Sequence, residues 1–188
     1  MIYFTSDLHL GHDNIIKLCN RPFDNVEEMD ETIISNWNKR VKKNDTVYVV
    51  GDFIWKESDL SKYLSRLSGK KILIVGNHDK WAKKSQYSTC FEKITNYEEV
   101  SLNNHQITLC HYPMVEWKNS RKEGTSRLGY LIYGHIHNNI RPEYKLLFET
   151  SNALNAGVDI NDFEPVTFDE LVYNNEQFLK SALKKLKL

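Results

Sequence analysis

Aspartate, asparagine and histidine recur in this chain just after short apolar runs. They stand at Asp7-Leu8-His9, Gly51-Asp52, Gly76-Asn77-His78-Asp79, His111 and Gly134-His135-Ile136-His137. Six of the seven histidines fall in or beside these segments, with His12 just after the first and only His105 outside. Oxygen and imidazole donors delivered by several strand ends are what a two-metal hydrolytic site requires.

Each segment suits a different part of that chemistry. A carboxylate at Asp52 can bridge two cations, because each of its oxygens can face one of them; Gly51 before it allows a tight turn. The Asn77 carbonyl is a neutral hard donor, which leaves the adjacent His78 free to face a substrate. Asp79 is placed to accept a hydrogen bond from the His78 ring, orienting it and favouring the imidazolium as a proton donor. His135 and His137, two apart, can project to one side of an extended segment. Cys110 should point away from His111 and act as a small core residue. Taken singly, each segment also reads as a polar turn or a structural histidine. Five of them in the same local context carry the argument.

The elements that position these residues follow from hydrophobic patterning. Residues 2–4, 46–50, 72–75, 107–110 and 131–133 read as buried strands, with 153–158 a weaker candidate. Residues 95–102 and 105–110 read as a hairpin turning at Asn103-Asn104. Val26, Met29, Ile33, Trp37 and Val41 form a helical stripe, with Asn25 and Glu28 as its capping box. Leu60, Leu64 and Leu67 mark a second helix, stopped at Gly69. Thr167 and Glu170 open a C-terminal helix whose apolar face is Leu171, Phe178, Leu179, Leu183 and Leu186. The first half predicts parallel βαβ units, and the hairpin predicts a more antiparallel second sheet.

The chain has 188 residues, which suits one domain over residues 1–188. Lys+Arg and Asp+Glu both number 25, so no polyanionic partner is demanded, while a small phosphorylated substrate remains compatible. Three scattered cysteines do not make a disulfide framework. No apolar run approaches a membrane span. A cytoplasmic protein is expected.

The ordered set Asp-x-His, Gly-Asp, Gly-Asn-His-Asp, His, Gly-His-x-His resembles the calcineurin-like metallophosphoesterase family across residues 7–137. Residues 6–12 and His111-Tyr112-Pro113 resemble its compact bacterial and phage branch. The resemblance implies an α/β fold of two packed mixed β-sheets flanked by helices, the calcineurin-like metallophosphatase sandwich. It implies that Asp7, His9 and His137 hold one metal, Asn77, His111 and His135 a second, and that Asp52 bridges them. The family's hydroxide between the metals attacks phosphorus in line, with His78 as proton donor, Asp79 behind it, and no covalent phospho-enzyme. Donors without thiolates fit two divalent ions, Mn, Fe, Ni or Zn.

A metal-dependent phosphoesterase is therefore expected, with a phosphodiester favoured over a monoester and a nucleotide-like substrate admissible. A metal-dependent nuclease of the same fold is the alternative, although balanced charge argues against extended nucleic-acid contacts. A non-catalytic protein-binding scaffold is a third reading, and an intact donor set argues against it. His12 reads equally as a phosphate contact or a surface histidine. Arg121, Lys122 and Arg127, on a long basic loop over residues 116–128, are candidate phosphate contacts or simply solvated. Trp55 and Trp117 can stack on a nucleobase, though tryptophan is more often a packing residue. Residues 155–159 read as a strand and turn supporting the site, and His105 as exposed.

Overall fold

A computed structural model describes residues 1–121 and 128–185. Eight strands form two four-stranded sheets. In the first, β1 (Ile2–Thr5), β2 (Thr46–Val49), β3 (Lys70–Ile74) and β4 (Lys93–Thr95) lie in that order, all parallel. In the second, β5 (Glu98–Leu102), β6 (His105–Leu109), β7 (Gly129–Tyr133) and β8 (Ala153–Asn155) lie in order. Only β5 and β6 pair antiparallel; β6, β7 and β8 are parallel.

The second sheet is thus less antiparallel than the hairpin predicts. A tight turn reverses β5 into β6, and Leu102 pairs with His105 across it. Asn103 and Asn104 both adopt left-handed backbone, at φ 48° and 66°, as a two-residue hairpin requires. The later strands are joined by long connections, which permit parallel pairing. Residue 95, read as the start of the hairpin, belongs instead to β4 at the edge of the other sheet.

Strand alternation sorts side chains into layers. Phe4, Tyr48, Val50 and Ile74 of the first sheet meet Ile107, Leu109, Ile132 and Leu154 of the second in one buried cluster. Tyr3, Val47, Val49 and Leu73 face the other way, into α1 (Asp13–Cys19), α2 (Val26–Arg40) and α3 (Leu60–Leu64). Leu131, Tyr133 and Ala153 face α4 (Lys145–Phe148) and α5 (Phe168–Lys185). Helices therefore cover both outer faces of the sandwich.

Each predicted capping box forms one of its two reciprocal bonds. The Asn25 side chain accepts the Glu28 N–H at 2.9 Å, and the Glu28 carboxylate accepts the Asp24 N–H at 2.8 Å. Glu170 accepts the N–H and the hydroxyl of Thr167, both at 2.8 Å. Met29, Ile33 and Trp37 bury the α2 stripe. The helix expected around Leu60 is shorter than its apolar pattern, with a 3₁₀ turn at Glu57–Asp59 before it; Leu67 is buried beyond its end. Leu186 lies outside the described residues. His105 is half-buried rather than exposed, because its ring packs 5.1 Å from both Tyr130 and Phe168. Among the described residues no helix is long and apolar enough to cross a membrane.

Candidate metal centre

Parallel pairing brings the carboxyl ends of β1, β2 and β3 to one edge, and those of β6 and β7 to another edge beside it. Open α/β sheets place ligands at such ends. The ladder runs on past the strands: Asp7 N–H donates to Gly51 at 3.0 Å, His9 N–H to Asp52 at 3.0 Å and Gly134 N–H to His111 at 3.0 Å. The loops carrying the candidate ligands are thereby fixed to one another.

All seven candidate ligands come together. Asp52 lies between two histidines, its Oδ2 at 3.5 Å from Nε2 of both His9 and His111. Asn77 Oδ1 is 3.1 Å from His111 Nε2 and 2.9 Å from His135 Nδ1. His137 Nε2 is 3.8 Å from Asp7 Oδ1. Donor atoms of Asp7, His9 and His137 lie within 4.8 Å of one another, as do those of Asp7, Asp52 and His111. Two donor groups thus meet along Asp7 and Asp52.

The backbone is strained where the donors are. Asp7, His9, Asp52, His135 and His137 all adopt left-handed conformations, with φ from 51° to 72°. Such conformations cost on the order of 1–3 kcal/mol each and gather at functional sites. Two glycines make room. Gly51 has φ 92°, and a Cβ there would meet the His111 ring at 2.2 Å. A Cβ on Gly134 would meet Ser6 Oγ at 1.9 Å and Asp7 Oδ2 at 2.4 Å.

Neighbouring groups set the rings. His111 Nδ1 bonds the Val50 carbonyl at 2.8 Å, and His137 Nδ1 bonds Asp159 at 2.9 Å. In both, the donor hydrogen sits on Nδ1 and Nε2 faces the cluster. Burial pushes both rings toward neutrality, but Asp52 outweighs it at His111 and Asp159 at His137, holding them protonated up to about 9 and about 10. Burial raises Asp52, but His111 and His9 hold its carboxyl down at about 2. Burial raises Asp7 above the usual carboxylate range and lowers His9 well below that of a histidine.

The donor set fits divalent cations. Both His9 ring nitrogens are buried without a hydrogen-bond partner. A buried polar atom left so is costly, and a cation at Nε2 satisfies it. The donors are carboxylate, amide oxygen and imidazole, suited to Mn, Fe, Ni or Zn.

His78 lies beside the cluster. Its ring is half-buried and packs edge-on to His9 at 5.2 Å, and its backbone N–H donates to Asp52 at 2.9 Å. Asp79 does not stand behind it. The fully buried Asp79 carboxylate accepts backbone N–H groups of Asp52 at 2.8 Å, Phe53 at 3.0 Å and Gly76 at 2.9 Å. It ties the β2 loop to the β3 loop, and the expected His78 partnership is corrected accordingly. Burial raises it to about 6 against those bonds.

Two residues escaped the sequence reading. Asp159 orients His137, and buried Arg21 pairs with Asp159 at 2.8 Å while donating to the Asp7 and Leu8 carbonyls at 2.7 and 3.0 Å. Asp159 carried a weak signal, as the end of a segment read as support for the site. Nothing in the sequence marks Arg21, which meets its partner from a distant turn. Of the other residues weighed, His12 is buried against Trp55, and Trp117 is a packing residue bonded to the Gly129 carbonyl at 2.9 Å. Arg121 pairs with Glu116 on the surface; Lys122 and Arg127 lie outside the described residues.

Residues 1–157 match the calcineurin-like phosphoesterase superfamily domain, and the chain belongs to that superfamily. Together with the donor cluster, that membership supports a metal-dependent phosphoesterase. An uncharacterized protein of Methanocaldococcus jannaschii, MJ1445, is 35% identical over 174 residues, covering 91% of this chain and 89% of its own. The gene 66 protein of Mycobacterium phage L5 is 32% identical over 162 residues, covering 72% and 76%. The crystal structure of a protein of unknown function from Aquifex aeolicus, AQ665, matches with a TM-score of 0.68 and 31% identity, over 90% of this chain and 96% of that one.

Proposed function

We propose that the protein hydrolyses phosphodiesters with a pair of divalent ions, manganese foremost. Asp7, His9 and His137 would hold one ion and Asn77, His111 and His135 the other, with Asp52 shared. The observation that carries this reading is Asp52 itself, 3.5 Å from imidazole nitrogens on either side. Bound there, the ions supply an activated water and neutralise charge on the phosphoryl group.

His78 supplies the proton. It is outside the donor clusters yet touches His9, so its ring would border a phosphoryl group held there. Hydrolysis forms one P–O bond to the incoming oxygen and breaks another to the departing oxygen, which takes the proton from His78. Asp7 also accepts the His135 backbone N–H, at 3.0 and 3.1 Å, which ties that loop to the end of β1. The hollow next to His78 can take an ester substituent, and a diester is the substrate we favour.

The test is metal analysis beside turnover of bis-p-nitrophenyl phosphate. Turnover should require a divalent ion, and Asp52→Asn should lose metal and activity together. Wild-type protein inert with Mn, Fe, Ni and Zn in turn would overturn the reading. So would an Asp52→Asn variant that keeps both metal and rate.

A further inference from the structure

A cavity of about 450 Å³ opens directly onto His9, His78 and His137. That is within the range of small-molecule sites, roughly 300–1,000 Å³. A larger groove of about 520 Å³ runs along α5, but it contains none of the seven donors. The cavity beside His78 is lined by Trp55 and by Ile15 and Leu18 of α1, with Asn14, Asn139 and Arg141 as polar groups.

Two of these side chains stand out. Trp55 is 41% exposed and Leu18 is 71% exposed, so two large apolar groups border one hollow next to the donors. Trp55 is also held rigidly. Its indole lies face to face on His12, with ring centroids 3.7 Å apart and planes 1° apart. The Trp55 backbone N–H donates to the Leu10 carbonyl at 2.9 Å, and Ile54 bridges to Leu10, which fixes the main chain beneath the ring. His12 is in turn seated by the loop at Gly11, whose N–H donates to buried Asp30 at 3.1 Å. His12 is 7% exposed and its Nδ1 has no hydrogen-bond partner. An aromatic surface organised before the ligand arrives costs little ordering entropy on binding. The indole centroid is 5.3 Å from that of His78, so a ring stacked on Trp55 adjoins the proton donor.

We propose that this cavity is a base-stacking subsite, and that the departing ester group is a nucleoside. Trp55 is the stacking platform and Leu18 the second apolar wall. Asn14, Asn139 and Arg141 offer hydrogen bonds to base edges and ribose. The proposal rests on the phosphodiesterase reading for which side of the phosphorus the nucleoside occupies.

The test compares two ligands that differ only in the base. Adenosine 5′-monophosphate and ribose 5-phosphate are titrated by calorimetry onto the manganese-loaded protein. Base stacking on an aromatic predicts about ten- to hundredfold tighter binding of the nucleotide. Trp55→Ala should bring the two constants together, and Trp55→Phe should retain most of the difference. Leu18→Glu, at an exposed position, should narrow the ratio without relying on any change at Trp55. Equal constants in the wild type, or an unchanged ratio in Trp55→Ala, would overturn the subsite. Turnover of bis-p-nitrophenyl phosphate is scored separately. Its absence with the ratio intact would count against the phosphodiesterase reading alone.

Discussion

At the scale of single residues, the division between holding metal and moving protons is open to test. His78 touches His9 but belongs to neither donor group. His78→Ala should keep its metal and turn over about 10²–10⁴-fold more slowly, the usual range for a general acid. The loss should be greater for an alkoxide leaving group than for p-nitrophenolate. Equal losses with both, or an empty metal site, would remove His78 from the role. The rings of His111 and His137 make a second prediction. In the metal-free protein they stay protonated up to about 9 and about 10, because Asp52 and Asp159 outweigh burial. A protonated ring cannot bind a metal, so at neutral pH metal binding must expel protons. Affinity should therefore rise with pH, by about tenfold per unit for each proton displaced, until those values are passed. Calorimetry in buffers of different ionisation enthalpy counts the protons, and an affinity indifferent to pH would contradict the assignment. Most of these residues were legible in sequence because Asp, Asn and His after apolar runs are unusual. Arg21 was not, since an arginine beside Asp159 is a fact of packing alone.

At the scale of elements, the loops matter more than the strands they follow. Asp79 holds three backbone N–H groups from two loops. Asp79→Ala leaves them buried without an acceptor, at about 1–3 kcal/mol for each group left unsatisfied. Chemical denaturation of the metal-free protein should show that loss; a variant of unchanged stability would return Asp79 to a purely catalytic account. A helix cap far from the donors provides the contrast. Asn25→Ala should cost about 1 kcal/mol in unfolding free energy and leave turnover alone, since it removes one bond to the Glu28 N–H. The capping boxes and the Asn-Asn hairpin were readable because local hydrogen bonding decides them. Helix α1 was not: it is seven residues long and has no side-chain cap. Its place depends on packing Ile15 and Cys19 into the core.

For the whole molecule, the proposed ions join the two sheets. Asp7, His9, Asp52 and Asn77 extend from the first sheet, and His111, His135 and His137 from the second. Ions bound only by the folded chain stabilise it by mass action, about 2.7 kcal/mol at a hundredfold excess over Kd for one site. The unfolding midpoint should rise with manganese concentration and fall on chelation. Asp52→Asn should blunt that response. A midpoint indifferent to chelator in metal-loaded protein would mean that no ion bridges the sheets. The inter-sheet core makes an independent contribution through residues such as Ile132, fully buried between the layers.

By itself, the sequence determined the candidate donors, most of the strands and the edge they share, because residue type and hydrophobic period are local properties. Tertiary structure decided how those donors are used. It turned Asp79 away from His78 and onto three backbone amides, and it set Asp159 behind His137. It laid Trp55 flat on His12 at the mouth of the centre. All of these except the Asp79–Gly76 bond are contacts between segments far apart in the chain. Such contacts depend on how two sheets pack, and no local pattern records that.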